Sequence, residues 1–490
     1  MVTGHPRARR TRMALLLSVA LMATALTSGA SAASGLTRAG VGMRLPGDEN
    51  WLGRYDGTGK NDYAVDLAVS PSGVFVTGLS SSGSPSWIDY GTVGYKASTG
   101  VEIWRARYND PVNGDDEVAG IAATPDGSKV FVTGQTDSAS NRTDYTTVAY
   151  NGDTGAQLWV AVYTRYDYAD GATAIAVNPS GGTVYVTGWS RSAASGVDFA
   201  TVAYDANTGG QLWVNRFDGP GHGGDYGRAI AVSPDGTKVF IAGETYSGTI
   251  AAGNSGNDYA VEAIDAADGE RLWFVRDTGP GSGPDVPAAI AVSPAGDKVA
   301  VTGHSYGTTS NDCLTVVRNA ADGSRVWAQR YAKASSGFDS GRGVGFSPDG
   351  TEVLVAGESY GGPSHRQDIV TIAYATSNGD RDWVRRYDGP NDGLSAPDND
   401  RAWGLAVNPD LGRVYVTGAT DSYDDDFATF AYAIDNGTTV WSARFDGAEN
   451  AVDYGIAVGV SPDGTQAFVA GSSQGSSATS FDYGSAAYGG

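Results

Sequence analysis

The chain has 490 residues, a formal net charge of −22 at pH 7 and a single cysteine, Cys313. A chain this acidic is repelled by nucleic acid and by anionic lipid headgroups, and one cysteine excludes a disulfide framework and a metal site built from several thiolates. Seventy glycines and 26 tyrosines indicate strands joined by tight turns. We therefore expect an all-β protein that neither binds nucleic acid nor inserts into a membrane.

The first 32 residues have the pattern of a secretory signal peptide. The apolar run MALLLSVALMATALT and the small residues ASA follow a basic start made by Arg7, Arg9, Arg10 and Arg12. This order is typical of a segment cleaved near Ala32, and the apolar run is too short to span a bilayer. A twin-arginine signal at Arg9-Arg10 is the alternative to the general export route. We predict a signal peptide at 1–32, a short segment at 33–44 and one exported domain at 45–490.

A unit of about 54 residues recurs along the rest of the chain. Each unit contains a turn tetrad such as TPDG or SPDG between two short apolar strands. Proline in second position and glycine in fourth suit a turn between antiparallel strands. A third strand such as DYTTVAY follows, and a fourth strand typically ends in Trp-x-x-Arg-aromatic. Four short antiparallel strands per unit predict one blade of a β-propeller.

The blade count and the closure of the ring follow from eight tryptophans. Each lies in a fourth strand, four residues after a glycine: Trp51, Trp104, Trp159, Trp213, Trp273, Trp327, Trp383 and Trp441. No first three strands precede Trp51, and no fourth strand follows the last third strand, which ends at Tyr488. Pairing of 48–55 with 482–488 would join these two fragments. We predict an eight-bladed β-propeller of four-stranded antiparallel blades, in which the N-terminal strand completes the C-terminal blade; seven blades is the alternative count.

Two stretches resemble known families. The strand pairs RAIAVSPDGTKVFIAG and TAIAVNPSGGTVYVTG resemble the bacterial β-propeller repeat family labelled SBBP. AYDANTGGQLW at 203–213 resembles the tryptophan-docking motif of eight-bladed quinoprotein (PQQ-dehydrogenase-like) propellers, where Ala, Asp, Gly and Trp knit adjacent blades together. This resemblance implies a structural role for these residues, because docking residues hold blades together and take no part in catalysis. The cysteine pair of the quinoprotein cofactor site has no counterpart here, and no catalytic residue is transferred. Similar propellers without a cofactor serve as protein-binding platforms in bacterial envelopes.

Two sets of aspartates and one set of arginines repeat around the predicted ring. One aspartate stands eight residues before each turn tetrad: Asp62, Asp116, Asp170, Asp225, Asp285, Asp339, Asp400 and Asp453. A second aspartate opens each third strand, and an arginine follows the tryptophan by three residues in seven of eight repeats. We interpret these as structural ion pairs and turn acceptors. Unpaired carboxylates around the channel mouth that bind Ca²⁺ are the alternative, because Ca²⁺ takes six to eight oxygen ligands.

Residues that depart from the repeat are candidates for function. Two loops, at 244–257 and 388–400, are longer than their counterparts, and we choose from them the candidate binding residues Tyr246, Asn254, Asp392 and Asp398. The exported chain contains only three histidines, His222, His304 and His365, which we place in loops at non-equivalent positions. Neither a three-histidine metal site nor a catalytic triad is expected from them, and Cys313 is expected to be a small buried residue.

The sequence favours a secreted, non-catalytic scaffold that binds a protein or a glycan through its loop-bearing face. We expect a monomer without a cofactor. The alternative is an exported enzyme, such as a quinoprotein-like oxidoreductase, a lyase or a glycan-active protein, with its site in the central channel. Non-repeated polar residues around the channel would favour the enzyme, whereas the same residue in every blade would favour the scaffold.

Overall fold

The computed structural model of the chain is a ring of eight blades, each a four-stranded antiparallel sheet. The structure describes residues 46–57, 59–81, 88–138, 142–165, 168–193, 196–246, 256–281, 283–333, 337–362, 365–389, 398–420, 426–445, 452–474 and 480–490. Among these residues there is no helix of the length and apolarity needed to cross a membrane. The eight-bladed prediction is confirmed, and the seven-bladed alternative is wrong.

Seven blades are continuous in sequence, and within each the strands follow one another across the sheet. Blades 1 and 2 contain β2 Asp62–Val69, β3 Val74–Ser81, β4 Ile88–Tyr95, β5 Glu102–Tyr108, β6 Asp116–Ala123, β7 Lys129–Asp137, β8 Thr143–Asn151 and β9 Gln157–Tyr163. Blades 3 and 4 contain β10 Asp170–Val177, β11 Thr183–Ser192, β12 Gly196–Asp205, β13 Gln211–Phe217, β14 Tyr226–Val232, β15 Lys238–Tyr246, β16 Asn257–Asp265 and β17 Arg271–Asp277. Blades 5 and 6 contain β18 Asp285–Val292, β19 Lys298–Tyr306, β20 Asn311–Asn319, β21 Arg325–Tyr331, β22 Asp339–Phe346, β23 Glu352–Ser359, β24 His365–Ala375 and β25 Arg381–Tyr387. After the short β26 Asp398–Asn399, blade 7 contains β27 Arg401–Asn408, β28 Arg413–Thr420, β29 Asp426–Ala433 and β30 Thr439–Phe445.

Blade 8 is built from both ends of the described chain. Its first three strands are β31 Asp453–Val460, β32 Gln466–Gln474 and β33 Phe481–Gly489, and its fourth is β1 Glu49–Tyr55. β1 runs antiparallel to β33, with Trp51 opposite Ala487 and Tyr55 opposite Tyr483. This confirms the closure predicted from the two complementary half-repeats, and it gives every blade four strands.

The first strands of neighbouring blades contact each other in a complete circle from β2 to β31 and back to β2. They are therefore the innermost strands. On one face of the ring the first and third strands begin and the second and fourth strands end, and we call this the loop face. The part of the loop face that borders the centre of the ring is called the channel mouth. Every first strand contains a β-bulge near this end. A bulge re-aims the side chains around it.

The repeated tryptophans join each blade to the next. Trp213 of blade 3, for example, donates from Nε1 to the Ala266 carbonyl of blade 4 at 3.1 Å. Trp51, Trp104, Trp159, Trp273, Trp327 and Trp383 make the equivalent bond. Trp441 differs: among the described residues its Nε1 has no acceptor, and Gly47 packs on its ring. That turn of blade 8 is divided between the residues after β33 and those before β1.

The glycine four residues before each tryptophan is required by conformation and by space. Gly209 has φ +70°, and a Cβ there would lie 2.7 Å from Cδ2 of Trp159. We expect Gly209→Ala to destabilise the protein by about 2–4 kcal/mol, from the left-handed backbone and the clash together. Gly412→Ala is the control, because Gly412 has φ +59° with open space around it. Equal losses in urea unfolding of the two variants would contradict a docking role for Gly209.

Candidate functional site at the channel mouth

The aspartates before the turn tetrads hold the connection between blades. Asp225 is buried; its Oδ2 accepts the Gly219 backbone N–H at 2.8 Å, and its Oδ1 accepts Thr245 Oγ1 and the Tyr246 N–H. Asp62, Asp116, Asp170, Asp285 and Asp400 accept a backbone N–H from the preceding connection in the same way, and Asp339 accepts the Tyr360 N–H. Burial raises the pKa of Asp116 to about 7. Asp453 is buried at the equivalent start of β31.

The arginines of the fourth strands pair within their own blades in six cases. Distances from guanidinium to carboxylate are 2.8 Å for Arg54–Asp482, 2.5 Å for Arg107–Asp89 and 3.2 Å for Arg330–Asp312. Arg276, Arg386 and Arg444 pair with Asp258, Asp368 and Asp426. Blade 3 differs, because Arg216 donates to the Tyr163 hydroxyl and Arg165 of blade 2 pairs with Asp198. Most of the aspartates that open the third strands are therefore paired with an arginine of the ring.

Two groups of carboxylates among the described residues are close enough to share a metal ion: Asp56, Asp62 and Asp482, and Asp198, Asp218 and Asp225. Each group joins the end of a fourth strand to the start of the next blade. In each, an arginine already contacts one member, since Arg54 pairs with Asp482 and Arg165 pairs with Asp198. Calcium binding therefore stays a prediction for these positions.

The loop candidates are only partly within the described structure. Tyr246 ends β15 and packs its ring against Gly223. Asn254 and Asp392 lie outside the described residues. The backbone of Asp398 forms β26, which pairs in parallel with β24 at His365, and the description does not extend to its side chain. The two described positions lie on different blades, Tyr246 on blade 4 and Asp398 beside blade 6.

Further positions that vary between blades lie on the strands at the channel mouth. The residue after the first aspartate of each blade faces a residue near the end of the second strand. These cross-strand pairs, from blade 1 to blade 8, are Tyr63–Leu79, Glu117–Gln135, Gly171–Trp189, Tyr226–Glu244, Val286–His304, Ser340–Glu358, Arg401–Ala419 and Tyr454–Ser472. No two pairs are alike, although tyrosine is the first member in three blades and glutamate the second member in two, and the aspartate beside each pair is the same in every blade.

Blades 4, 6 and 7 carry a group of charged side chains at the mouth, which we call the charged arc: Arg228, Glu244, Arg342, Glu358 and Arg401. Arg228 Nε lies 3.0 Å from Glu244 Oε1. Arg342 lies 2.5 Å from Glu358 Oε1, and Arg401 of the next blade approaches Glu358 Oε2 at 3.4 Å. Arg228 and Arg342 are bulge residues of their first strands. Both glutamates are buried, whereas the three arginine side chains are partly exposed to solvent.

His304 lies within this arc, on β19 rather than in a loop, which corrects the sequence-based placement. Its ring packs 5.5 Å from the ring of Phe338. Burial, with Arg342 nearby, lowers the pKa of His304 to about 4, so the imidazole is neutral at pH 7. His365 begins β24, and His222 lies in the connection before β14 beside Asp218, 2.7 Å from Nδ1 to Oδ2.

Cys313 is buried inside blade 5, with its Sγ 3.9 Å from Thr302 Oγ1. Burial raises the pKa of its thiol to about 12, which makes it a poor nucleophile. It does not border the channel mouth and has no neighbouring cysteine. The quinoprotein cysteine pair therefore has no equivalent in this chain.

An aromatic row continues the mouth through blades 7, 8 and 1: Trp403, Tyr454, Phe481 and Tyr63. Successive ring centroids lie 5.7, 6.3 and 5.1 Å apart. All four side chains are half-buried. Trp403 is the bulge residue of β27, two positions after Arg401. The charged arc and the aromatic row therefore meet on one strand.

Asp66 is a further departure from the repeat. It lies on β2, where other first strands carry glycine or alanine, and accepts the Ile121 N–H of blade 2 at 3.1 Å. Burial raises its pKa to about 7. Asp66 and the variable pairs can be recognised from the sequence, because an alignment of the eight repeats shows that these positions differ between blades. The candidates predicted from sequence lie in loops, because loops commonly carry function, and they do not include these strand positions.

Comparisons with known proteins agree with this architecture. A family model described as outer membrane protein assembly factor BamB matches residues 180–404. No curated protein matches the chain. The family-model match covers less than half of the chain, and it shows a likeness to PQQ-like propellers over those residues.

Several solved propellers are similar in fold at low identity. The quinohemoprotein alcohol dehydrogenase of Comamonas testosteroni is 13% identical with a TM-score of 0.54, covering 90% of this chain and 76% of that one. Sqt1 of Chaetomium thermophilum, solved with the N-terminus of ribosomal protein L10, is also 13% identical at 0.54, covering 90% and 100%. The Dos1 propeller is 10% identical at 0.54, covering 90% and 95%. These likenesses show the fold alone.

Proposed function

We propose that the protein is an exported, non-catalytic binding scaffold that holds a protein partner at the channel mouth. The observation that carries this proposal is the type of side chain at the variable positions, where the half-buried rings of Trp403 and Tyr454 adjoin the exposed guanidinium of Arg401. Variation between blades alone is equally expected of a channel enzyme, so the residue types, and not the variation, favour a binding surface. Export rests on the N-terminal segment, which lies outside the described residues, and the likeness to SBBP-type repeat proteins stays a prediction.

A protein partner is favoured over a glycan by the residue types and by precedent. Trp, Tyr and Arg dominate the energetics of protein interfaces, and the mouth combines all three in Trp403, Tyr454 and Arg401. Of the similar propellers, Sqt1 was solved bound to a protein N-terminus, and the matching family model describes an assembly factor.

Site-directed photocrosslinking tests the proposed function. We expect Tyr454→p-benzoylphenylalanine to crosslink one discrete partner in the producing cells, because Tyr454 lies half-buried in the aromatic row. The control is Leu212→p-benzoylphenylalanine on the outermost strand of blade 3, where Leu212 is exposed. Crosslinking from position 212 but not 454 would contradict a partner at the mouth.

A channel enzyme is the second candidate, and the variable mouth residues favour it as well. His304 is neutral at pH 7 and lies on blade 5 between charged groups of blades 4 and 6, so one ring nitrogen has a lone pair that can accept a hydrogen bond from a bound substrate. The discriminating measurement is turnover by the purified protein, including after addition of pyrroloquinoline quinone and Ca²⁺, and its loss in His304→Gln. Turnover that depends on His304 would replace the scaffold proposal.

A further inference from the structure

We propose that Arg401 and Arg342 form a carboxylate-binding subsite for an acidic segment of a protein partner. This inference rests on the proposed function and specifies the chemistry of its partner. The juxtaposition that carries it is one buried glutamate, Glu358, between two guanidinium groups, next to the half-buried ring of Trp403. An aspartate or glutamate side chain of the partner would supply the missing anion.

Arg401 is the guanidinium group that the mouth leaves incompletely neutralised. Its Nε lies 3.4 Å from Glu358 Oε2 and 3.3 Å from Gln367 Oε1. Glu358 already contacts Arg342 at 2.5 Å, so one carboxylate serves two arginines. The Arg401 side chain is 47% exposed, and its terminal nitrogens have no partner among the described residues. A planar guanidinium with free donors suits bidentate recognition of a carboxylate.

Among the described side chains of the variable pairs and bulges, the other charges leave this excess in place, and the first-strand aspartates accept backbone N–H groups of the connections. Arg228 and Glu244 form a complete pair, and His304 adds no charge at neutral pH. Glu117 on blade 2 is exposed and has the opposite sign. A bound segment would therefore be oriented, with its carboxylate toward blades 6 and 7 and away from blade 2.

The aromatic row gives the subsite its second component. Trp403 lies two residues from Arg401 on β27, and its ring contacts Tyr454 edge-on at 5.7 Å. Half-buried aromatic side chains supply apolar contact area beside a charged anchor, which is the usual composition of an interface hot spot. The segment is therefore expected to carry an apolar residue next to its acidic one.

The net charge of the whole chain lets the salt dependence of affinity distinguish an acidic partner held at this subsite from a basic partner attracted by the overall charge. With a net charge of −22, the protein repels an acidic segment at long range. Salt screens this repulsion beyond about 8 Å at physiological strength and weakens contact pairs less. We expect affinity for an acidic segment to hold or rise with added salt, whereas affinity for a basic one should fall.

The test uses the full exported chain and fluorescein-labelled peptides of ten glutamates or ten lysines. We expect the glutamate peptide to bind, and Arg401→Gln to weaken it about tenfold, the loss of one charge-assisted contact. Arg105→Gln is the control, since Arg105 is 51% exposed on β5 and pairs with Glu102; it should leave affinity unchanged. The glutamate peptide should also compete with partner crosslinking from position 454.

Three results would overturn the proposal. These are tighter binding of the lysine peptide, equal effects of Arg401→Gln and Arg105→Gln, or Arg401-dependent binding of oligogalacturonate that exceeds the peptide's, which would assign the subsite to an acidic glycan. If position 454 still crosslinks a partner while the glutamate peptide fails to compete, the scaffold function stands and the carboxylate subsite falls. If position 454 crosslinks no partner in a protein that carries no other substitution, both the scaffold function and the carboxylate subsite are contradicted.

Discussion

Deleting residues 47–58 is expected to abolish cooperative folding of the entire ring. The deletion removes β1 and leaves β33 as an unpaired edge of blade 8. It also removes two buried aromatic side chains, Trp51 and Tyr55, from the core between blades 8 and 1. Removing such a side chain costs about 3–5 kcal/mol, and two of them approach the about 5–15 kcal/mol that stabilises a typical domain. Thermal unfolding followed by circular dichroism measures the loss.

The matched control is deletion of residues 33–44, which should leave the melting temperature unchanged. A second measurement keeps the closure testable if the shortened chain does not fold: a synthetic peptide of residues 46–57, added in excess, should restore part of the cooperative transition. Equal tolerance of the two deletions would refute closure by β1.

Arg318→Leu is expected to destabilise the protein by about 3–5 kcal/mol, because it leaves the carboxylate of Asp277 without its buried partner at the contact between blades 4 and 5. Arg318 is buried and contacts Asp277 of blade 4, and it donates to the Gly323 carbonyl at 2.8 Å. The remaining ion-pair partner of Asp277 is Arg325, at 3.4 Å. Urea unfolding of the variant and the parent gives the difference directly.

The repeats supply the compensating substitution. Most other blades have tyrosine at the position of Arg318, and all have tyrosine or phenylalanine at the position of Asp277. We expect the double variant Arg318→Tyr with Asp277→Phe to recover most of the loss, because a buried ion pair replaced by packed side chains is often neutral. The single variants Arg318→Tyr and Asp277→Phe complete the double-mutant cycle, and losses that simply add in the double variant would contradict direct coupling.

The sequence predicted the scaffold well because scaffold residues obey periodic rules. Trp51 and Trp213 occupy equivalent positions, so the first could be recognised as a displaced fourth strand. Pairing of β1 with β33 then followed from counting strands. The pairing of Arg54 with Asp482 depended only on both positions lying at one face of the ring.

The candidate site was less accessible from sequence for a geometric reason. Arg342 and Trp403 are bulge residues, and the register shift that re-aims them breaks the two-residue alternation of a strand. Arg401 and Glu358 are far apart in sequence and meet only because blades 6 and 7 are neighbours. Aligning the repeats identifies such positions as variable, but only the folded ring shows which of them are in contact.

The closure of blade 8 also sets the order in which this protein can fold. Blades 1 to 7 and the contacts between successive first strands from β2 to β31 join strands that are near in sequence, whereas β2 can meet β31, and β1 can pair with β33, only after the C-terminal strands have been synthesised. Forming these contacts is the slow, non-local step. Until then β1 and the edge of β33 are both exposed, and in this interval the chain is most prone to pair with another copy of itself. Folding yield should therefore depend on chain concentration even though the finished ring is closed.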